Sequence, residues 1–284
     1  MRQTGSKATG QINSRVRRIN AFRRWRVLLL LLPAGVLAQD PAGESPLAAA
    51  AIDETGFTGT ILIHDLRGGS FVAGHSERID QPLLPASTFK IFSSLVALET
   101  GVIDGPDSII RWDGVTRSRE VLNQDLPLRQ AFRVSAVPHY QDLVRRIGHE
   151  RMQQFIDRAG YGNRDISGGI ELFWLSGGLR ITPREQVAFL ARLYRNELPF
   201  SHATMEAVRE MMVTDDGNGY TIRAKTGWAA PPNEGNTGWW TGWVERGDSV
   251  YVFATVLEAD DAGDSFGPAR EAVTRQVLAA LGIL

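Results

Sequence analysis

The sequence predicts an α+β fold: one antiparallel sheet built from N- and C-terminal strands, flanked by helices, with a helical lobe inserted between the two sets of strands. Three observations carry this prediction. Strand-like runs at 58–66 and 70–74, joined by the turn residues Arg67-Gly68-Gly69, read as an antiparallel hairpin near the start of the chain. Three further strand-like runs, 222–228, 238–245 and 249–258, lie near its end, the last two joined by Arg246-Gly247-Asp248. Residues 122–212, between them, are mostly helical in pattern.

In chain order, the first 38 residues read as a secretory signal. Seven arginines, one lysine and no acid precede the apolar run 27–32, and Val36-Leu37-Ala38 gives a small-x-Ala pattern that places cleavage before Gln39. The apolar core is too short to span a bilayer. Residues 39–51 are rich in Pro, Gly and Ala and read as a flexible tether, so the folded domain is expected over 52–284. After the first hairpin and Pro85, apolar Phe89, Phe92, Leu95 and Val96 recur at helical spacing, with Gly101 just beyond the helix end. An amphipathic helix over 268–281 closes the chain.

Composition excludes several classes. Removing residues 1–38 takes eight of the 31 basic residues and none of the 32 acidic ones, leaving a formal charge of −9, a poor balance for binding nucleic acid. Cysteine is absent, so there is no disulfide, thiolate nucleophile or cysteine metal site. Five scattered histidines without ligand spacing argue against a zinc site, and no metal is expected. The pattern G-x-S-x-G at 263–267 follows a strand, but no histidine lies beyond His202 to complete a hydrolase triad, so it reads as a loop. The remaining 246 or so residues suffice for one compact unit of two lobes, or for two small domains.

Lysine usage points to chemistry. Past residue 38 the chain holds 21 arginines but only two lysines, Lys90 and Lys225. Arginine keeps its proton in a protein, whereas a buried lysine can become a neutral amine and act as a base. Lys90 closes Ser87-Thr88-Phe89-Lys90 at the start of a helix, where residues three apart share a face, so hydroxyl and amine can meet. An adjacent base is what a serine needs to become a nucleophile, and a helix start offers free N–H groups to an oxyanion. By itself S-x-x-K is a weak signal that also fits a capped, solvated helix start.

Its companions make the signal specific. Ser135-Ala136-Val137, Tyr161-Gly162-Asn163, Phe173-Trp174-Leu175 and Lys225-Thr226-Gly227 follow in order. Together the five motifs, over residues 55–284, resemble the class D, oxacillinase-type serine β-lactamases, and thus the fold shared with penicillin-binding transpeptidases. The resemblance implies hydrolysis of penicillins and oxacillin-like compounds, and with it antibiotic resistance, with Ser87 as the acylated nucleophile. It implies Lys90 as general base after carbamylation by carbon dioxide or bicarbonate (N6-carboxylysine), within an apolar surround of Phe89, Val137 and Trp174 and with the Trp174 indole N–H donating to the carbamate. Ser135, helped by Lys225, would carry a proton to the lactam nitrogen. The N–H groups of Ser87 and Trp228 would form the oxyanion hole, Thr226 and Arg270 would hold the substrate carboxylate, and Gly227 would also bind substrate. No other cofactor is implied.

Each residue also has a plainer role open to it. Trp174 can be core, Arg270 a solvated helix charge, Ser135 a cap, Tyr161-Gly162-Asn163 a structural turn, and Trp239, Trp240 and Trp243 sheet packing. Two other functions share the acylation chemistry. A penicillin-binding D,D-peptidase would be expected to carry Asn where this chain has Val137, and a β-lactam sensor domain would carry several membrane helices. The partner implied is a small β-lactam, with no nucleic acid and no stable membrane association after signal cleavage. The compartment implied is the periplasm. A homodimer is compatible with the sequence and not specified by it.

Overall fold

The computed structural model describes residues 43–217 and 219–284; the expected signal segment, 1–38, lies outside the described residues. In chain order the elements are β1 (Gly43–Glu44), α1 (Pro46–Asp53), β2 (Thr58–Asp65), β3 (Phe71–Gly74), α2 (Phe89–Glu99), β4 (Ile109–Ile110), β5 (Leu126–Pro127), α3 (Leu128–Arg133), α4 (Val137–Ile147), α5 (His149–Ala159), α6 (Pro183–Tyr194), α7 (His202–Met211), β6 (Val213–Gly217), β7 (Tyr220–Ala229), β8 (Asn236–Arg246), β9 (Ser249–Ala259) and α8 (Phe266–Ala280). Seven strands form one sheet in the order β1-β3-β2-β9-β8-β7-β6. The first hairpin joins the last strands through β2 and β9, antiparallel from Thr58 opposite Glu258 to Asp65 opposite Tyr251. The expected sheet from both chain ends is therefore present, antiparallel throughout except for the short β1–β3 pair.

Strand periodicity of two sorts the sheet's side chains onto two buried faces. Ile61 and Ile63 of β2, Trp240 and Val244 of β8, and Phe253 and Leu257 of β9 pack with α1 and α8. Leu62, Trp239, Trp243, Val252, Ala254 and Val256 face the helical lobe of α2 to α7. Both faces are covered, so these strands read as nearly continuous apolar runs. The three tryptophans of β8 are sheet packing, divided between the faces.

One expectation needs correction. The segment 39–51, read as a flexible tether, is ordered in its described part, and the domain starts ahead of residue 52. Ser45 caps α1 by accepting from Ala48 N at 3.3 Å, Pro46 occupies the first turn, and Ala48, Ala51 and Ile52 are buried. The alanines that suggested low complexity form the small apolar face that lets a helix lie close to the sheet. Strand β6 was not anticipated. Its sequence, Val-Thr-Asp-Asp-Gly, is mostly exposed and is held by pairing with β7. Among the described residues no helix is long and apolar enough to cross a membrane.

Candidate active site

The site forms at the seam between the helical lobe and β7. Ser87 lies in a single 3₁₀ turn, Ala86–Thr88, that runs directly into α2. The turn is held on two sides. Ala86 N donates to Trp174 O at 3.0 Å, and Trp239 Nε1 donates to Leu84 O at 2.8 Å. Ala86 adopts a φ of +50°, left-handed for a residue with a Cβ, immediately before the proposed nucleophile. Such strain persists only where its surroundings enforce it and concentrates at functional sites.

Helical spacing from Ser87 to Lys90 does what the sequence implied: Lys90 Nζ donates to Ser87 Oγ at 2.8 Å. Lys90 is 1% exposed, and its Nζ lies 5.2 Å from the centre of the Tyr140 ring. Burial, then the charges of Lys225 and Arg119, push its pKa well below the usual lysine value. A neutral amine beside a serine hydroxyl is a competent base.

Ser135 and Lys225 reach the site from opposite sides. Ser135 occupies the turn between α3 and α4 with a φ of +57°. Lys225 Nζ, on β7, donates to Ser135 Oγ at 3.1 Å and also to Thr226 O at 3.0 Å. Lys225 is 4% exposed; burial first, then the charges of Arg270 and Arg119, lowers its pKa to about 7. Among the described residues neither lysine has a carboxylate partner; both bond only to hydroxyl or carbonyl oxygens.

β7 approaches the Ser87 turn closely because Gly227 has no side chain. A Cβ there would lie 3.0 Å from Pro85 O and from Thr88 Cγ2. β6 pairs with β7 only as far as Arg223, and Ala224 N then bonds Met212 O at 2.8 Å, so the rest of that edge faces the Ser87 turn without a strand partner. Thr226 is half-buried on this edge, and Trp228 is exposed, its Nε1 donating to Asn236 Oδ1 at 3.0 Å. Arg270, on α8 and 8% exposed, donates to Gly227 O and stacks its guanidinium 5.5 Å from the Trp228 ring. Burial lowers its pKa to about 10, which leaves it a cation at neutral pH.

Val137 opens α4, half-buried, one turn ahead of Tyr140. Trp174 is buried and stacks on Phe89 at 5.7 Å, and its Nε1 has no hydrogen-bond partner among the described residues. Tyr161-Gly162-Asn163 anchors the loop that carries Trp174. Tyr161 packs on Phe89, Phe92 and Phe189, while Asn163 donates to Gly178 O at 2.9 Å and accepts from Arg180 N at 3.0 Å.

Sequence reasoning did not single out Tyr140 under Lys90 or Phe132, with its ring 5.6 Å from Lys225 Nζ. Tyr140 repeats with Leu143, Val144 and Ile147 on the buried face of α4, so the helical period marked it as core. Nothing in the sequence placed it beneath a lysine.

Comparison with known proteins agrees with this arrangement. A family model described as the penicillin binding protein transpeptidase domain matches residues 39–279. Beta-lactamase OXA-5 of Pseudomonas aeruginosa is 39% identical over 228 residues, 80% of this chain and 85% of that protein. Beta-lactamase OXA-48 of Klebsiella pneumoniae is 43% identical over 202 residues, 71% of this chain and 75% of that one. The chain belongs to the class D β-lactamases. That places it among hydrolases of the β-lactam amide bond. The solved structure of the class D β-lactamase YbXI from Nostoc superposes with a TM-score of 0.80 at 47% identity, covering 84% of this chain and 99% of that one. This β-lactamase therefore has the sheet-and-lobe architecture expected of it.

Proposed function

We propose that this class D β-lactamase hydrolyses penicillins and oxacillin-like compounds in the periplasm, through a serine ester with carbamylated Lys90 as general base, and so confers resistance to them. The observation that carries the mechanism is Lys90 itself: an amine buried without a carboxylate, held below the usual lysine range, 2.8 Å from Ser87 Oγ. A neutral amine is the form that combines with carbon dioxide, and the partnerless Nε1–H of Trp174, beside Phe89, is a donor in want of an acceptor. Both fit a carbamate on Lys90. Once formed, that group supplies an acceptor for the Ser87 proton and for a proton of the deacylating water.

The remaining steps belong to the chain's own side chains. Ser87 Oγ bonds to the lactam carbonyl carbon, and the negative charge on oxygen is met by the backbone N–H groups of Ser87 and Trp228. The ring C–N bond breaks as Ser135 passes a proton to the nitrogen, and Lys225, bonded to Ser135 Oγ, favours that transfer. Thr226 and Arg270 hold the ring carboxylate on the open edge of β7, where Gly227 brings the strand against the Ser87 turn. Water then cleaves the ester and frees Ser87. Export is supported by the basic and apolar pattern of residues 1–38 and by a family match that begins at residue 39.

A time course of a chromogenic β-lactam with a known amount of the purified protein, with and without bicarbonate, tests the proposal. Many turnovers per molecule, with activity that declines at acidic pH and recovers with bicarbonate, are expected. A single stoichiometric burst would instead indicate acylation without hydrolysis, and rates indifferent to bicarbonate would remove the carbamate.

A further inference from the structure

We propose that Arg119 is a specificity-determining residue, a second anion-recognising group at the rim of the cleft that favours β-lactams carrying an additional carboxylate on their side chain. The inference rests on the β-lactamase function proposed above and narrows its substrate class. Arg119 lies in the exposed connection between β4 and β5, and its Nη2 donates to Val134 O at 3.0 Å. Val134 precedes Ser135, whose hydroxyl Lys225 holds, so the guanidinium is tied to the Ser135 side of the cleft. Its charge is felt inside: it is among the causes that lower the pKa of both Lys90 and Lys225.

Arg119 lacks a counter-charge, as does Arg133 beside it, but of the two only Arg119 is among the charges that lower the pKa of both lysines. Arg111 is paired with Asp125, Arg117 with Asp113, Arg129 with Asp107, and Arg145 with Asp142 and Glu171. Arg119 bonds only a backbone carbonyl, and among the described residues it has no carboxylate partner. A guanidinium has five N–H donors in a planar fork, so most of them remain for a ligand. The ring carboxylate common to penicillins already has Arg270, which is anchored on α8 and β7. With the ring carboxylate engaged by Arg270, the Arg119 guanidinium is left as an unanswered positive charge on the Ser135 side of the cleft. A second carboxylate on the acyl side chain would meet that charge at the rim.

Benzylpenicillin and carbenicillin differ by one side-chain carboxylate and form the test pair. For wild type, Arg119→Gln and Arg119→Lys, kcat and KM are measured for both compounds at low and high ionic strength. Any effect of Arg119 on the two lysines acts on both substrates and cancels in the ratio of their kcat/KM values. In Arg119→Gln the ratio of carbenicillin to benzylpenicillin is expected to fall about three- to tenfold, through KM, the range of one partly screened ion pair. Arg119→Lys should keep most of the ratio, and added salt should lower it in wild type but not in Arg119→Gln. A ratio that is the same in all three proteins overturns the assignment even if both penicillins are hydrolysed. If wild type turns over neither penicillin, the hydrolytic function itself fails and the inference falls with it.

Discussion

At the scale of single residues, the site is built on buried basic groups, and among the described residues neither of its lysines has a carboxylate partner. Lys225 makes three hydrogen bonds, all to uncharged oxygens, and its amine titrates at about 7 instead of 10.5. Between those values the unfolded chain binds the proton and the folded protein does not, so the parent gains stability as pH rises through that window. Below about 7 both states are protonated, and the full cost of burying the ammonium is present. Lys225→Met should therefore be more stable than the parent at neutral pH, by roughly 2–4 kcal/mol, with the gap shrinking toward pH 10. Urea unfolding of both proteins at the two pH values measures this. A variant no more stable than the parent at pH 7 would show that Lys225 is not an uncompensated charge. The positive φ values of Ala86 and Ser135 add strain at the same place, so geometry suited to acyl transfer opposes stability here.

At the scale of elements, legibility followed how local the determinants were. The first hairpin, α2, the last three strands and α8 could be read because apolar period and turn residues coincide in each of them. Ser87 and Lys90 could be paired because three residues on a helix fix their approach. α1 was missed, although Ser45 followed by Pro46 is a helix-start signal, because a run of alanines carries no periodicity. β6 and the place of Arg119 were not legible because both depend on tertiary approach, β6 on its pairing with β7 and Arg119 on its bond to Val134 O. Trp174 lies between the two cases: its motif could be read, but its position depends on a loop without regular structure. Gly162 secures that loop, with φ at +53° and an added Cβ only 2.1 Å from Arg180 O. Gly162→Ala should cost about 2–4 kcal/mol, since it adds backbone strain to a contact that cannot be made. It should also lower kcat and make turnover depend more steeply on bicarbonate, because Trp174 loses its support. Unfolding curves and bicarbonate titrations of the variant read both effects. A stable variant with normal bicarbonate response would mean that the motif does not position Trp174.

At the scale of the whole molecule, the catalytic seam depends on a sheet closed by the two ends of the chain. β7 presents Lys225, Thr226 and Gly227, β8 and β9 support it, and β9 is completed by β2 along its length. α1 and α8 together cover the face of that sheet away from the lobe. The segment before residue 55 is thus part of the scaffold of the site, although it contributes no catalytic group. Glu44 accepts from His75 N at 3.0 Å and Ser76 N at 2.8 Å, Ser45 N donates to Ala73 O at 2.7 Å, and Ile52 is fully buried between α8 and the sheet. Removing residues 1–42, which keeps β1 and α1, should leave stability and activity close to those of the full chain. Removing residues 1–54 also deletes β1 and α1 and uncovers the apolar surface of β2, β3 and α8 against which α1 lies, Ile61 and Ile63 of β2 included. Losing one buried isoleucine, two alanines and the apolar surface they cover should cost on the order of 3–5 kcal/mol, much of the margin of a domain this size. Denaturant unfolding and turnover of the two truncated proteins separate the cases. If both unfold at the same denaturant concentration, the sheet is complete without its first helix, and the seam that holds β7 against the Ser87 turn needs nothing ahead of β2.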